Sequence, residues 1–394
     1  MEVYGMVVIE PSRKLEISNS YEVVVIGGGI AGISAGIAAA RAGKKVCLIE
    51  REYMLGGLAT LGLVTIYLPL CDGDGNQMIS GIGEELLKRS VSFGSGKIPE
   101  CWTATGDQME RKEKRYRTQF DPASFAYALD LYIHELDIDI MFGTLFSNVI
   151  MQEDEIRYLI LENKEGRFAL QADMVIDATG DADVCYLAGE NTEMYTENRK
   201  AGWYYSVSER DGYQLNILQE DIYKPIEPNS KGYSGIYCHE ISEFVLESRK
   251  MIFEHSESQN DGSAVAQIAS IPQQRMTRRL KGKTELDETD ERVYFQDSIG
   301  MFGDWRICGR VYYLPFSALY GSCRNLLAAG RCISVTTAAW DITRAIPVCA
   351  LSGEAAGVAA SLKIEHHLSR IQDLPAELLR NAMIEKGNLI NESI

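Results

Sequence analysis

An α/β fold is what this sequence predicts, with a central parallel sheet carrying a β-meander and a second, α+β domain inserted into it. Three observations lead there. Residues 21 to 52 read as strand, glycine turn, alanine-rich helix and strand, the order of a βαβ unit. Short β-branched runs between residues 138 and 180 have the length and spacing of sheet strands. The apolar, glycine-rich texture gives way to aromatic and polar stretches over residues 190 to about 313 and returns from Pro315, so the middle of the chain reads as an insertion.

The first unit, "YEVVVIGGGIAGISAGIAAARAGKKVCLIERE", contains eighteen uncharged residues from Val23 to Ala40, close to membrane-spanning length. Five of the eighteen are glycine, with Gly27, Gly28 and Gly29 consecutive, and each glycine costs a helix roughly 1 kcal/mol relative to alanine. The run therefore divides into a strand over 23–26, a helix over 30–42 and a second strand over 46–49. Gly27 permits the turn, Gly29 lets the backbone approach a pyrophosphate, and Gly32 lets the helix pack closely on the strand. The helix N-terminus offers its unpaired N–H groups to the phosphates. Glu50, eighteen residues after Gly32, stands where a carboxylate accepts hydrogen bonds from ribose hydroxyls.

Next comes "GGLATLGLVTIYLPLCDGDG", residues 56 to 75, a glycine-rich loop expected to thread the active site. "DPASFAYALDLYIHEL" predicts a helix with Asp121 as N-cap and Pro122 at its first position. "IDIMFG", "LFSNVIM", "IRYLILE", "RFALQA" and "MVIDATG" predict one parallel strand, a meander of three and a return to the sheet. "ISEFVLESRKMIFEHS" predicts a helix in the insertion, "NLLAAG" a short buried strand, and the stretch from Pro347 a helix lined with small residues. The expected division is a discontinuous nucleotide domain over 20–70, 121–190 and 314–365, an inserted substrate domain over 71–120 and 191–313, and a C-terminal helical segment over 366–394.

The 394 residues carry a formal charge of −17 with a pI near 4.9, a field that repels a phosphate backbone and argues against nucleic acid as partner. "ERKEKRYR", residues 110 to 117, holds five basic side chains and reads as a solvated loop or an anion-attracting entrance. Nine cysteines without a CxxC pair, and five histidines without a matching cluster, predict reduced thiols and no metal site. The N-terminus lacks the pattern of a secretory signal and no unbroken stretch reaches membrane length, so a cytoplasmic protein is expected.

The pieces "GGGIAG", "IERE", "GGLAT.G", "DATGDADV", "RMTRRLKG", "LPFSALYG..RNLLAAGRCIS" and "TRAIPVCALSGEAAG", spread in this order from residue 21 to 360, resemble the FAD-dependent oxidoreductases of the glutathione-reductase-like flavin fold. The resemblance implies a Rossmann-like FAD-binding domain with Gly27, Gly29, Ile30, Ala31 and Gly32 at the pyrophosphate and Glu50 with Arg51 at the adenosine ribose. It also implies Gly57, Leu58 and Ala59 beside the flavin, Thr179 and Gly180 near the adenine half, and Pro347 and Ala350 on the last helix. Gly330 and Arg331 stand where many relatives have a Gly-Asp pair at the ribityl chain or pyrophosphate; an arginine there is less suited to a ribityl hydroxyl and could pair with a phosphate instead.

Candidate chemistry gathers at three places. In "QQRMTRRLKG" an extended chain would set Arg275 and Arg279 on one face and Arg278 on the other, for clamping a carboxylate or stabilising an oxyanion, or else for salt bridges between domains. Asp304 in "GDWRICG" and Asp341 in "AAWDITR" are candidate bases, and Arg344 lies just upstream of the last helix. Cys71 either faces the flavin or packs as a small thiol. With a single dinucleotide fingerprint and no CxxC, electrons are expected to pass through a small-molecule substrate or a diffusing donor or acceptor; a homo-oligomer is among the expected partners. The expected activity is hydride transfer at flavin N5 by a dehydrogenase or reductase. A flavoprotein acting on tRNA and a non-catalytic FAD-binding module are the alternatives.

Overall fold

The computed structural model describes residues 12–220 and 231–391. β1 (Ile17–Ile26) runs through the middle of the main sheet, and Gly27, at φ +108°, turns the chain into α1 (Ile30–Arg41). β2 (Val46–Ile49) returns parallel to β1, with Val23 opposite Val46 and Ile26 opposite Ile49. β3 (Ile66–Tyr67) pairs antiparallel with β4 (Thr118–Gln119), and α2 (Gly81–Ser90) lies between them in sequence. α3 (Pro122–Glu135) begins at the expected proline, although the Asp121 side chain accepts from Ser95 N and Oγ and does not cap the helix. β5 (Asp139–Met141) extends the sheet parallel to β2.

The meander follows as β6 (Leu145–Gln152), β7 (Glu155–Asn163) and β8 (Gly166–Asp177). "RFALQA" and "MVIDATG", read as separate strands, form this one twelve-residue strand, since no glycine or proline separates them. After α4 (Asp183–Leu187) and β9 (Thr192–Met194), an antiparallel sheet in the order β11-β10-β12 forms from β10 (Ala201–Ser208), β11 (Gly212–Gln219) and β12 (Ala264–Ile268), with α5 (Cys238–Gln259) beside it. Glycine at 202 makes room for Ile252 of α5, whose Cγ1 would lie 2.7 Å from a Cβ there. β13 (Arg278–Leu280) pairs with β9, and β14 (Ser298–Gly303) with β15 (Val311–Pro315).

β16 (Leu326–Ala328) completes the main sheet, β5-β2-β1-β8-β7-β6, by adding parallel to β8. α6 (Thr337–Thr343), α7 (Ile346–Glu365) and α8 (Ala376–Glu385) end the chain. α7 lies against α1 at backbone distance: a Cβ on Gly353 would sit 2.1 Å from the Ala31 carbonyl oxygen, and one on Gly357 2.3 Å from that of Ala35. Ile82, Leu86 and Leu87 of α2, a helix within residues expected to belong to the insertion, share the buried core of α1 and α7. Among the described residues no single helix is long and apolar enough to cross a membrane; α6 and α7 pass that test only as a pair bent by 90°.

In the middle of α7, Glu354 accepts from Asn388 Nδ2 at 2.9 Å and from Ile82 N at 2.9 Å. Burial raises its pKa to about 7 against those two hydrogen bonds, with Glu85 adding to the rise and Arg41 opposing it. A carboxyl whose folded pKa lies above its ordinary value of about 4.3 favours the fold when protonated. Stability from this group is thus complete below about pH 4, falls as pH rises to about 7, and is level beyond. Glu354→Gln should flatten that slope in denaturant titrations and stabilise the protein at pH 8 by on the order of 3 kcal/mol. Gly357→Val should cost about 3 kcal/mol, read as a lowered urea midpoint, because neither helix backbone can yield.

Candidate cofactor and substrate site

One cleft opens at the C-terminal ends of β1 and β2, where the chain passes from sheet to loop, the usual place for a ligand in an open α/β sheet. Its empty space, partly continuous with solvent, is about 1450 Å³. Gly27, Gly29, Ile30, Ala31, Glu50, Arg51, Gly57, Leu58, Ala59, Thr179, Gly180, Gly330 and Arg331 all line it. Gly32 does not. Its missing side chain serves the fold, since a Cβ there would lie 1.9 Å from the Gly27 carbonyl oxygen. At Gly29 a Cβ would meet no atom within 4 Å, and φ is −74°. The backbone is bare toward the cleft at this one point of the turn, at the N-terminus of α1, where an anion gains from free N–H groups.

Two glycine loops meet here. Gly56 N donates to Gly28 O at 2.8 Å, which fixes the turn at residues 57–59 beside the first loop. Glu50 is held from both sides: Oε2 accepts from Gly28 N at 2.6 Å and Oε1 from Glu52 N at 2.8 Å. Each oxygen keeps a lone pair for a hydroxyl in the cleft. Asp183 also lines this end. Burial, with Asp181 and Asp177 nearby, pushes its carboxyl up to about 6 despite Arg278 and Arg51.

Arg331 lies over Gly180, where a Cβ would be 2.4 Å from Nη2. Its guanidinium donates to the Gln274 and Arg275 carbonyls at 3.2 and 3.3 Å and stands 3.6 Å from Asp181. The cleft is also walled by Leu61, Arg344, Ile346 and Cys349 and, from the stretch expected to be the insertion, by Gly235, Ile241, Ile271, Pro272 and Gln274.

Several expectations need correction. Pro347 and Ala350 are buried away from the cleft toward α2, where Ala350 Cβ and the Pro347 carbonyl face Gly83; Ile346 and Cys349 take the lining positions one residue earlier. Arg278 is a structural cation: its Nε donates to Asp181 O at 2.9 Å, Nη2 pairs with Asp183 at 2.5 Å, and it covers the Tyr186 ring. Asp304 is no base for the cleft. It is fully buried, and Arg306 takes both its oxygens at 3.0 Å. Arg306 also reaches Asp341, which in turn binds Arg344, so the candidate groups at 304–306 and 341–344 form one chain of ion pairs ending at the cleft. Arg275 lies just behind the wall, not on it. Cys71 is a buried thiol that accepts from Tyr116 N at 3.4 Å and lies off the cleft. From sequence alone no role falls to Asp183, Gln274, Ile346 or Cys349, although each lies inside one of the stretches quoted above.

A family model described as FAD dependent oxidoreductase matches residues 22–202 and 193–383. The chain belongs to this family. Similar folds occur in p-nitrophenol 4-monooxygenase from Pseudomonas putida (13% identical, covering 94% of this chain and 81% of that one, TM-score 0.49). They also occur in a geranylgeranyl bacteriochlorophyll reductase-like protein from Thermoplasma acidophilum (14%, 95% and 94%, 0.49). A third is in the Sdh1 complex of Mycobacterium smegmatis (14%, 92% and 70%, 0.50). At 14% identity and a TM-score of 0.50 the likeness to the last of these is one of fold alone.

FAD is the family's cofactor, and the residues present suit it: bare backbone at Gly29 for the pyrophosphate and a pinned carboxylate at Glu50 for a ribose. Gly29→Val should fold with unchanged melting of the flavin-free protein, because its side chain has space and an ordinary φ, yet purify without FAD. Full flavin occupancy in that variant, measured by visible absorbance against protein content, would contradict the placement.

Proposed function

We propose that the protein transfers a hydride between a small organic substrate and FAD, working as a dehydrogenase or reductase. The observation that supports this reading is the composition of the large cleft: glycine loops from the main sheet and residues of the expected insertion line the same space. FAD, when bound, accepts or gives the hydride; the chain positions, shields and polarises. Gly29 and the α1 N-terminus hold the phosphates, and Glu50 orients the adenosine. Leu61, Ile271, Pro272 and Ile346 line the substrate end and exclude water. Arg344, fixed by Asp341, and the N-terminus of α7 place positive charge at the same end, which favours negative charge developing there.

The sequence carries only one dinucleotide fingerprint, so the second redox partner in this reading is the substrate itself or a diffusing donor or acceptor. Purified protein should show the two visible bands of oxidised flavin, and anaerobic screening of metabolites should find compounds that bleach them or that reoxidise the dithionite-reduced protein. A protein that binds FAD stoichiometrically but exchanges electrons with no small molecule in either direction would overturn the proposal.

A further inference from the structure

Arg275 is a buried cation without an ion-pair partner among the described residues. It is 6% exposed, and none of those residues gives its Nη1 and Nη2 atoms a hydrogen bond. Its guanidinium stands 5.2 Å from the centre of the Trp203 ring. Burial, then the like charges of Arg344 and Arg331, lower its pKa to about 9, and Asp341 offsets them only in part. A charge left this way is costly to the fold unless something anionic completes it.

The neighbouring polar groups share the deficit. Among the described residues, Gln274 Nε2, Arg344 Nε and Trp203 Nε1 are buried without a hydrogen-bond partner. Each of these atoms is a donor; Gln274 and Arg344 line the cleft, and Arg275 and Trp203 lie behind its wall. Water satisfies a mixed set of donors and acceptors; a set of donors alone, with net positive charge, calls for an acceptor carrying negative charge. The cofactor's phosphates belong on the bare backbone of Gly29.

We propose that this group binds the carboxylate of the substrate: the enzyme acts on a small organic acid, met at the cleft wall by Arg344 and Gln274 and attracted by the charge of Arg275 behind them. The assignment rests on the oxidoreductase reading and narrows it. The Arg344 Nε–H and the Gln274 amide N–H are donors for the two oxygens of a carboxylate.

The test is calorimetric titration of the FAD-loaded protein with benzoate, with succinate and with inorganic phosphate, alongside the flavin spectrum. Carboxylates should bind saturably and shift the visible bands, with phosphate binding at least tenfold weaker. Arg275→Met should weaken carboxylate binding by roughly thirtyfold with flavin content unchanged, and Arg275→Lys should recover part of the loss. In carboxylate-free buffer Arg275→Met should melt no lower than wild type, since it removes an uncompensated charge; a residue needed only for the fold would lower the melting temperature.

The assignment is overturned by undiminished carboxylate binding in Arg275→Met, by phosphate binding as tightly as the acids, or by loss of FAD from that variant, which would give these donors to the cofactor. Should Arg275→Met not fold, absence of carboxylate binding to the wild type is decisive by itself. Bleaching by neutral compounds without carboxylate binding sinks this inference alone. Carboxylate binding without any electron exchange sinks the redox reading alone.

Discussion

Everything in the site depends on how closely two helices approach that lie more than three hundred residues apart in sequence. α7 reaches α1 through Gly353 and Gly357, whose absent side chains leave the Ala31 and Ala35 carbonyls in direct contact with the helix. A methyl group at either position would separate the axes, and the start of α7 would retreat from the glycine turn. Gly32 does the same for α1 and the strand below it. The cleft is therefore the space left beside three backbone contacts, and its width is set where side chains are missing.

The parts of this arrangement that the sequence discloses are those with a local cause. A positive φ at Gly27, a strand before it and a carboxylate at residue 50 are short-range demands, and they can be read directly. What escapes is phase and return. α7 is buried on all sides, so no polar stripe tells which residue of each turn faces the cleft, and the assignment to Pro347 and Ala350 missed by one position. Asp304 has the residue type of a catalytic base, but Arg306, two residues later, folds back over it, a contact with no sequence signature. Arg275 and Arg278 look alike in a row of cations; only the tertiary structure gives one of them partners.

The chain of pairs from Asp304 through Arg306 and Asp341 to Arg344 has an electrostatic logic. Alternating charges in a buried row hold each other in place, and the terminal member, Arg344, lines the cleft. Replacing an inner member would strand a charge and shift the outer guanidinium without touching it. Residues far from any ligand thereby acquire influence over the site's potential.

β8 shares one of its edges between two neighbours, β7 along its first residues and β16 along its last. Between those two, Asn325 acts as a rung: its amide accepts from Ile156 N at 2.9 Å and donates to Ile156 O at 3.0 Å, while its own carbonyl takes Val175 N at 2.8 Å. During synthesis this edge stays open until the ribosome has made the whole insertion and moved on to residue 328. The sheet closes late, by strands distant in the chain, which is the costly order for loop entropy. The walls supplied by Gly330 and then by Arg344, Ile346 and Cys349 arrive later still, so a nascent chain can hold no nucleotide firmly until those residues are in place.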